Sequence, residues 1–277
     1  MSLDSLQLAI VQEIESLIQQ DQLILPTLPE VALKARDVAM NPDVSARELA
    51  DVVSNDPALT VRLIKVANSP LLRAQRQIDD LVQAIARMGI QSAANIISSL
   101  AMRQMFQASH PKIDQLMREI WSRSTEVAGI ASVLCRHYTS LKPDQALLAG
   151  LVYQVGALPI LSYAEDHEQL IDEGLIDQLV SVLHPRLGSL ILRRWDFAPE
   201  LVQVPGEYAQ LDRQVAHADY VDLVTVAHLE SLYGAHPEQG PAVDRVLAYQ
   251  RLGLSSVRTE DEDIKDEMRA TGQALQG

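Results

Sequence analysis

A single cysteine, Cys135, stands in the 277-residue chain, which excludes an intrachain disulfide and any cysteine-based metal cluster. Its apolar neighbours at helical spacing mark it as a buried structural thiol, because a reactive thiol needs an electropositive, partly open setting. Aromatic residues are scarce, 4% against 47% hydrophobic residues in all, so aliphatic packing has to supply most of the stabilisation. Glycine and proline, 12 and 13 residues, are too few for a chain cut into many short strands. Long apolar runs are lacking as well. The longest, Ala146 to Tyr153, is far shorter than the roughly 20 residues that cross a bilayer. The residues Met1 to Gln7 carry no basic region leading into an apolar core, so they do not read as a secretory signal. Basic charge is in deficit: 23 Lys and Arg against 37 Asp and Glu give −14, a surface that repels a phosphate backbone. The expected setting is the cytosol, without membrane insertion and without a nucleic-acid partner.

What the chain does have is helical periodicity in nearly every window. Leu6, Ile10, Ile14, Leu17 and Ile18 share one face of a first amphipathic helix. That helix has no Lys or Arg, so it is expected to pack on the body or on a second copy of the chain, a homodimer. Pro29 suits the first turn of the next helix, which Asn41-Pro42 ends. Ser45 and Glu48 have capping-box spacing, Asp56-Pro57 pairs a capping acid with a proline at the first helical position, and Asn68-Ser69-Pro70 closes that helix. A polar linker from Arg73 to Asp79 leads to a helix over 80–87, and Gly89 separates it from the next. Pro111 opens a long helix on which Ile120, Ser124, Val127, Ala131, Leu134 and Tyr138 recur at three and four; Pro143 opens another. Gly150 in the latter predicts close backbone approach, since a missing side chain lets helices come near. Further helices are read over 165–173, 175–183, 185–195, 215–233 and 240–250. The acid run Glu260 to Asp263 reads as a solvated helix end or frayed tail.

Four motifs then fall in a fixed order: Leu25-Pro26-Thr27-Leu28-Pro29-Glu30-Val31-Ala32, Asn55-Asp56-Pro57-Ala58-Leu59-Thr60, Val66-Ala67-Asn68-Ser69 and Ala84-Ile85-Ala86-Arg87-Met88-Gly89. On these the chain resembles the HDOD family, the HD-related output domains of bacterial signalling. The second half continues the likeness through Trp121, Ala149-Gly150-Leu151, Gly156 and Arg193-Arg194-Trp195. The resemblance implies an all-α, multi-helix fold, with an N-terminal helical lobe packed on a degenerate HD-like lobe. The divisions expected are an N-terminal helix (1–17), the HDOD domain (18–212, lobes 18–110 and 111–212), and C-terminal helices with an acidic tail (213–277).

The HD phosphohydrolases that this family resembles hold divalent metal through a His, a His-Asp pair and a later Asp. The ion polarises phosphate and activates water. Matched by flanking residues, the first ligand position holds Arg123, the pair is Tyr153-Gln154 and the last position is His228. Arg and Gln are poor ligands, and one histidine cannot hold a catalytic ion. The resemblance thus implies a site without catalytic residues, metal or cofactor, in a regulatory module that binds a protein partner. Arg123 on a helix flank is ordinarily a salt-bridge partner; the sharper reading is that its fixed charge replaces the metal and attracts phosphate or carboxylate. With Tyr153 and His184 it forms the expected ligand pocket, although His184, just before Pro185, more simply caps a helix. Two alternatives stay open: a sensor of a nucleotide such as cyclic di-GMP, and a metal-dependent phosphohydrolase. His217, Asp219 and His228 are the best residual metal cluster. No Ser-His-Asp arrangement or phosphate-binding glycine loop is present.

Overall fold

The computed structural model describes residues 10–14, 16–17, 20, 24–69, 72, 77–167, 170–171, 175–254 and 262–276. Leu6, Ile18, Pro70, Arg73 to Arg76, the positions 168–169 and 172–174 of the helix read over 165–173, and Glu260 and Asp261 lie outside the described residues. Among those described there are helices and no strand, as expected.

The first lobe is built from α1 (Glu30–Met40), α2 (Ala46–Val53), α3 (Pro57–Ala67), α4 (Leu81–Met88) and α5 (Ile90–Ala101). Local chemistry sets most of their ends. Ser45 accepts from the Glu48 backbone while the Glu48 carboxylate takes the Ser45 backbone N–H, a complete capping box. Asp56 and Asp80 each accept from the backbone N–H three residues on. Gly89, at φ +81°, turns the chain between α4 and α5 where an L side chain would be strained. Asn68, just past α3, donates to the Ile78 carbonyl at 2.7 Å and accepts the Ile78 N–H at 2.8 Å. Ile10 and Ile14, on one turn of helix, are buried in the core.

The second lobe centres on α6 (Pro111–Tyr138) and α7 (Pro143–Val152), which pack along their lengths. Around them lie α8 (Ala157–Glu165), α9 (Ile176–Arg194), two single turns (Pro199–Val202 and Val204–Glu207), α10 (Tyr220–Tyr233), α11 (Leu247–Arg251) and α12 (Glu262–Gln276). A Cβ on Gly150 would lie 2.4 Å from the Ala128 Cα, which is the close approach predicted. Contacts between α5 and α7 join the lobes. At the far end Arg36 donates to the carbonyls of Trp195 and Asp196 at 2.7 Å each, and the Trp195 indole donates to the Pro26 carbonyl. Cys135 is buried, and burial pushes its thiol up.

The structure corrects two readings and extends a third. The two helices expected on either side of Pro185 are one helix, α9. Proline removes a hydrogen bond there, yet α9 continues because it lies against the turn after α7: a Cβ on Gly156 would be 2.0 Å from the His184 carbonyl oxygen and 2.4 Å from the Gly188 nitrogen. Glu262 and Asp263 of the acid run open α12, in keeping with the helix end expected, and the helix lies on α6 with Ile264, Met268 and Leu275 buried. Finally, the stretch Pro143–Glu165 is long and apolar enough to cross a membrane by length and composition. Counting only uninterrupted apolar residues hid this. It is a core segment, 83% buried over its most apolar window and broken into α7 and α8 by a turn at 153–156.

Candidate functional site

Four segments bring the expected positions to one place. α6 carries Arg123, the turn that ends α7 carries Tyr153 and Gln154, α9 carries His184 and α10 carries His228. Tyr208, which follows the Val204–Glu207 turn, completes the group and was not foreseen. Tyr153 is fully buried. Its ring meets that of Tyr208 edge-on at 4.9 Å, and its hydroxyl lies 3.3 Å from His228 Nδ1. Tyr208 in turn meets the His228 ring at 5.1 Å and places its hydroxyl 3.1 Å from His184 Nε2. The Thr225 hydroxyl donates to the Tyr208 carbonyl at 2.8 Å and fixes this segment on α10.

The cluster is largely buried, and its histidines are held neutral at neutral pH. Burial lowers His184 to about 4. Burial also lowers His228 to about 4, helped by the Arg123 charge and by His184. Both tyrosine hydroxyls are pushed up by burial, that of Tyr153 well above its ordinary value. Arg123 and Gln154 open instead onto a pocket of about 200 Å³ between α6, α8 and α9. Tyr153 and His184, expected with Arg123 in one pocket, are buried and are not among the residues that line this one. His184 does not cap a helix, since it sits inside α9, with its Nδ1 buried and without a hydrogen-bond partner.

The donor set does not fit a catalytic metal. A guanidinium repels a cation, a phenol held protonated is no ligand, and Gln154 is a weak one. The residual cluster does not assemble either. Asp219 caps α10 and receives two hydrogen bonds from Arg213, at 3.1 and 2.7 Å. His217 is exposed. Among the described residues no three His, Cys, Asp or Glu side chains are placed to hold an ion. Arg213 and Arg251 both serve a structural network around Asp222, which is 1% exposed and receives Arg251 at 2.6 and 2.7 Å. Sequence reading missed that network and Tyr208 alike, because their partners lie on separate elements.

Residues 25–210 match the family model for the HDOD domain. A solved structure from Shewanella amazonensis SB2B, provisionally described as a metal-dependent phosphohydrolase, is 29% identical, with a TM-score of 0.85 and 98% of each chain covered. An HDOD domain protein of unknown function from Geobacter sulfurreducens is 21% identical, with a TM-score of 0.61 and 98% of each chain covered, a likeness of fold. An uncharacterized protein of Treponema pallidum (strain Nichols) is 26% identical over 91% of this chain. The chain spans about half the length of that curated relative, 49%.

Proposed function

The chain belongs to the HDOD domain family, and from that premise we propose that it is a non-catalytic regulatory module of bacterial signal transduction that acts by binding a protein partner. One observation carries this reading. Where a metal phosphohydrolase of the HD type would present its His-Asp pair, this chain presents Tyr153-Gln154, with Arg123 on the facing helix. A positive guanidinium and a buried neutral phenol cannot ready water for attack on a phosphoester at neutral pH. The description given to the Shewanella relative is that protein's own, and it transfers only if the donor set does. The net charge of −14 favours a protein over a nucleic acid as partner.

Metal analysis of the purified chain, joined to a hydrolysis assay, tests the proposal. After incubation with manganese, iron or zinc, we expect less than one ion per chain to survive gel filtration. Phosphodiester and cyclic dinucleotide substrates should show no turnover above the buffer rate. Stoichiometric retained metal together with turnover would defeat the reading.

A further inference from the structure

We propose that the pocket at Arg123 and Gln154 binds a compact zwitterion, an aliphatic α-amino acid by chemical class. This rests on the reading of the site as one that no longer holds metal. Arg123 is the first reason. Glu119 lies four residues before it on α6, the orientation that best favours a helical ion pair. Yet no ion pair joins them; Glu119 accepts from Gln115 at 2.9 Å instead. Glu126, three residues after Arg123, accepts from the Ser231 hydroxyl at 2.7 Å. The guanidinium has no carboxylate partner among the described residues and acts on Tyr153, Tyr208 and His228, none of which can neutralise it. A guanidinium so placed is a fork for a carboxylate.

Gln154 is the second reason. Its side chain lines the pocket and hydrogen-bonds Tyr208, while its Oε1 is buried and without a hydrogen-bond partner; a small turn of the amide on binding would let that oxygen accept from an N–H beside the anion. The third reason is charge. Glu119 and Asp177 line the pocket from its exposed side; they attract an ammonium and, with the acidic surface, repel a phosphate dianion. Between these groups the wall is aliphatic, from Leu116 and Ile120 of α6, Leu161 of α8, and Ile176 and Val180 of α9. A carboxylate, an adjacent ammonium and a short branched side chain satisfy all three. At about 200 Å³ the space is below the roughly 300 Å³ at which drug-sized sites begin, too small for a cyclic dinucleotide.

Isothermal titration of the full chain with L-leucine, L-isoleucine and L-valine tests this, with 4-methylpentanoate (leucine without its ammonium) and inorganic phosphate as separate arms. We expect saturable one-to-one binding of at least one amino acid, weakened about tenfold or more by Arg123→Gln and also by Gln154→Leu, with both variants folded by circular dichroism. The acid lacking ammonium should bind at least about tenfold more weakly. Absence of amino-acid binding, phosphate binding more tightly than any amino acid, or affinity unchanged in both variants would each overturn the proposal. Failure of this titration in a metal-free, inactive chain sinks the amino-acid site alone. Stoichiometric metal with turnover sinks the regulatory reading as well.

Discussion

Two stretches of α6 meet their neighbours in opposite ways. From Val127 to Cys135 the helix comes backbone to backbone with α7, and at Gly129 with α12, although a pocket of about 570 Å³ opens beside Ile130 between α6, α10 and α12: a Cβ on Gly150 would strike Ala128, and one on Gly129 would lie 2.7 Å from the Gly272 nitrogen. One turn earlier, at Arg123, it borders a pocket and a cluster in which Gln154 Oε1 and His184 Nδ1 lack hydrogen-bond partners. Native interiors leave few such atoms. The packed stretch is what stability selects. The polar stretch costs stability, and a cost kept beside a pocket is a sign of use.

Acid should expose the difference most strongly. His184 and His228 sit at about 4 in the fold against 6.5 when unfolded. Above 6.5 both states are neutral and nothing is lost. As pH falls from 6.5 toward 4 the unfolded chain takes up protons that the folded chain refuses, so stability drops, by on the order of 3–4 kcal/mol for the pair at pH 5. Urea denaturation at pH 7 and pH 5 measures this, and His184→Gln with His228→Gln should flatten the slope. An unchanged slope would mean the cluster is already solvated.

The packed stretch breaks differently. Gly150→Ala puts a methyl group into the α6 backbone and should cost about 3 kcal/mol, lowering Tm by about 6–12 °C at every pH. A scan at pH 7 reads it directly. A loss of under about 1 kcal/mol would show that α7 can slide away from α6.

The packed half was legible in the sequence and the polar half only in part, for a physical reason. Capping boxes, first-turn prolines and a glycine at positive φ act within three or four residues, so Ser45, Asp56, Asp80, Pro111 and Gly89 announce their elements without help from the rest of the fold. Gly150 announced even a tertiary contact. The site joins residues 24 and 75 positions apart. There the family likeness supplied Arg123, Tyr153, Gln154 and His228, but nothing local marked Tyr208. Pro185 misled because the local rule against proline within a helix yields when both flanking turns are held by packing. The register of α12 was present in Ile264, Met268 and Leu275, four and seven apart, beneath a polar composition.

Within the cluster itself the effects should be smaller. Tyr153→Phe removes the hydroxyl facing His228 but keeps the ring against Tyr208. One neutral hydrogen bond and a newly orphaned imidazole nitrogen amount to about 1 kcal/mol. Chemical denaturation should find that loss, and the ring packing predicts no change in the cooperativity of unfolding.

Arg123→Leu gives the smallest effect and is the sharpest way to separate the two stretches. An arginine that held the fold would cost 3 kcal/mol or so on removal, as broken buried ion pairs do. Arg123 has no ion pair to break among the described residues, and leucine offers an aliphatic stem to the same wall of Leu116, Ile120 and Leu161. The change should therefore fall within about 0.5 kcal/mol of zero. Because the variant also removes the charge that adds to burial in lowering His228, that histidine should titrate at somewhat higher pH, and its ring proton shifts in NMR would follow the change. Stability held while His228 moves upward is the outcome that a binding residue predicts. A loss of several kcal/mol would make Arg123 part of the frame and leave the pocket without its anchor.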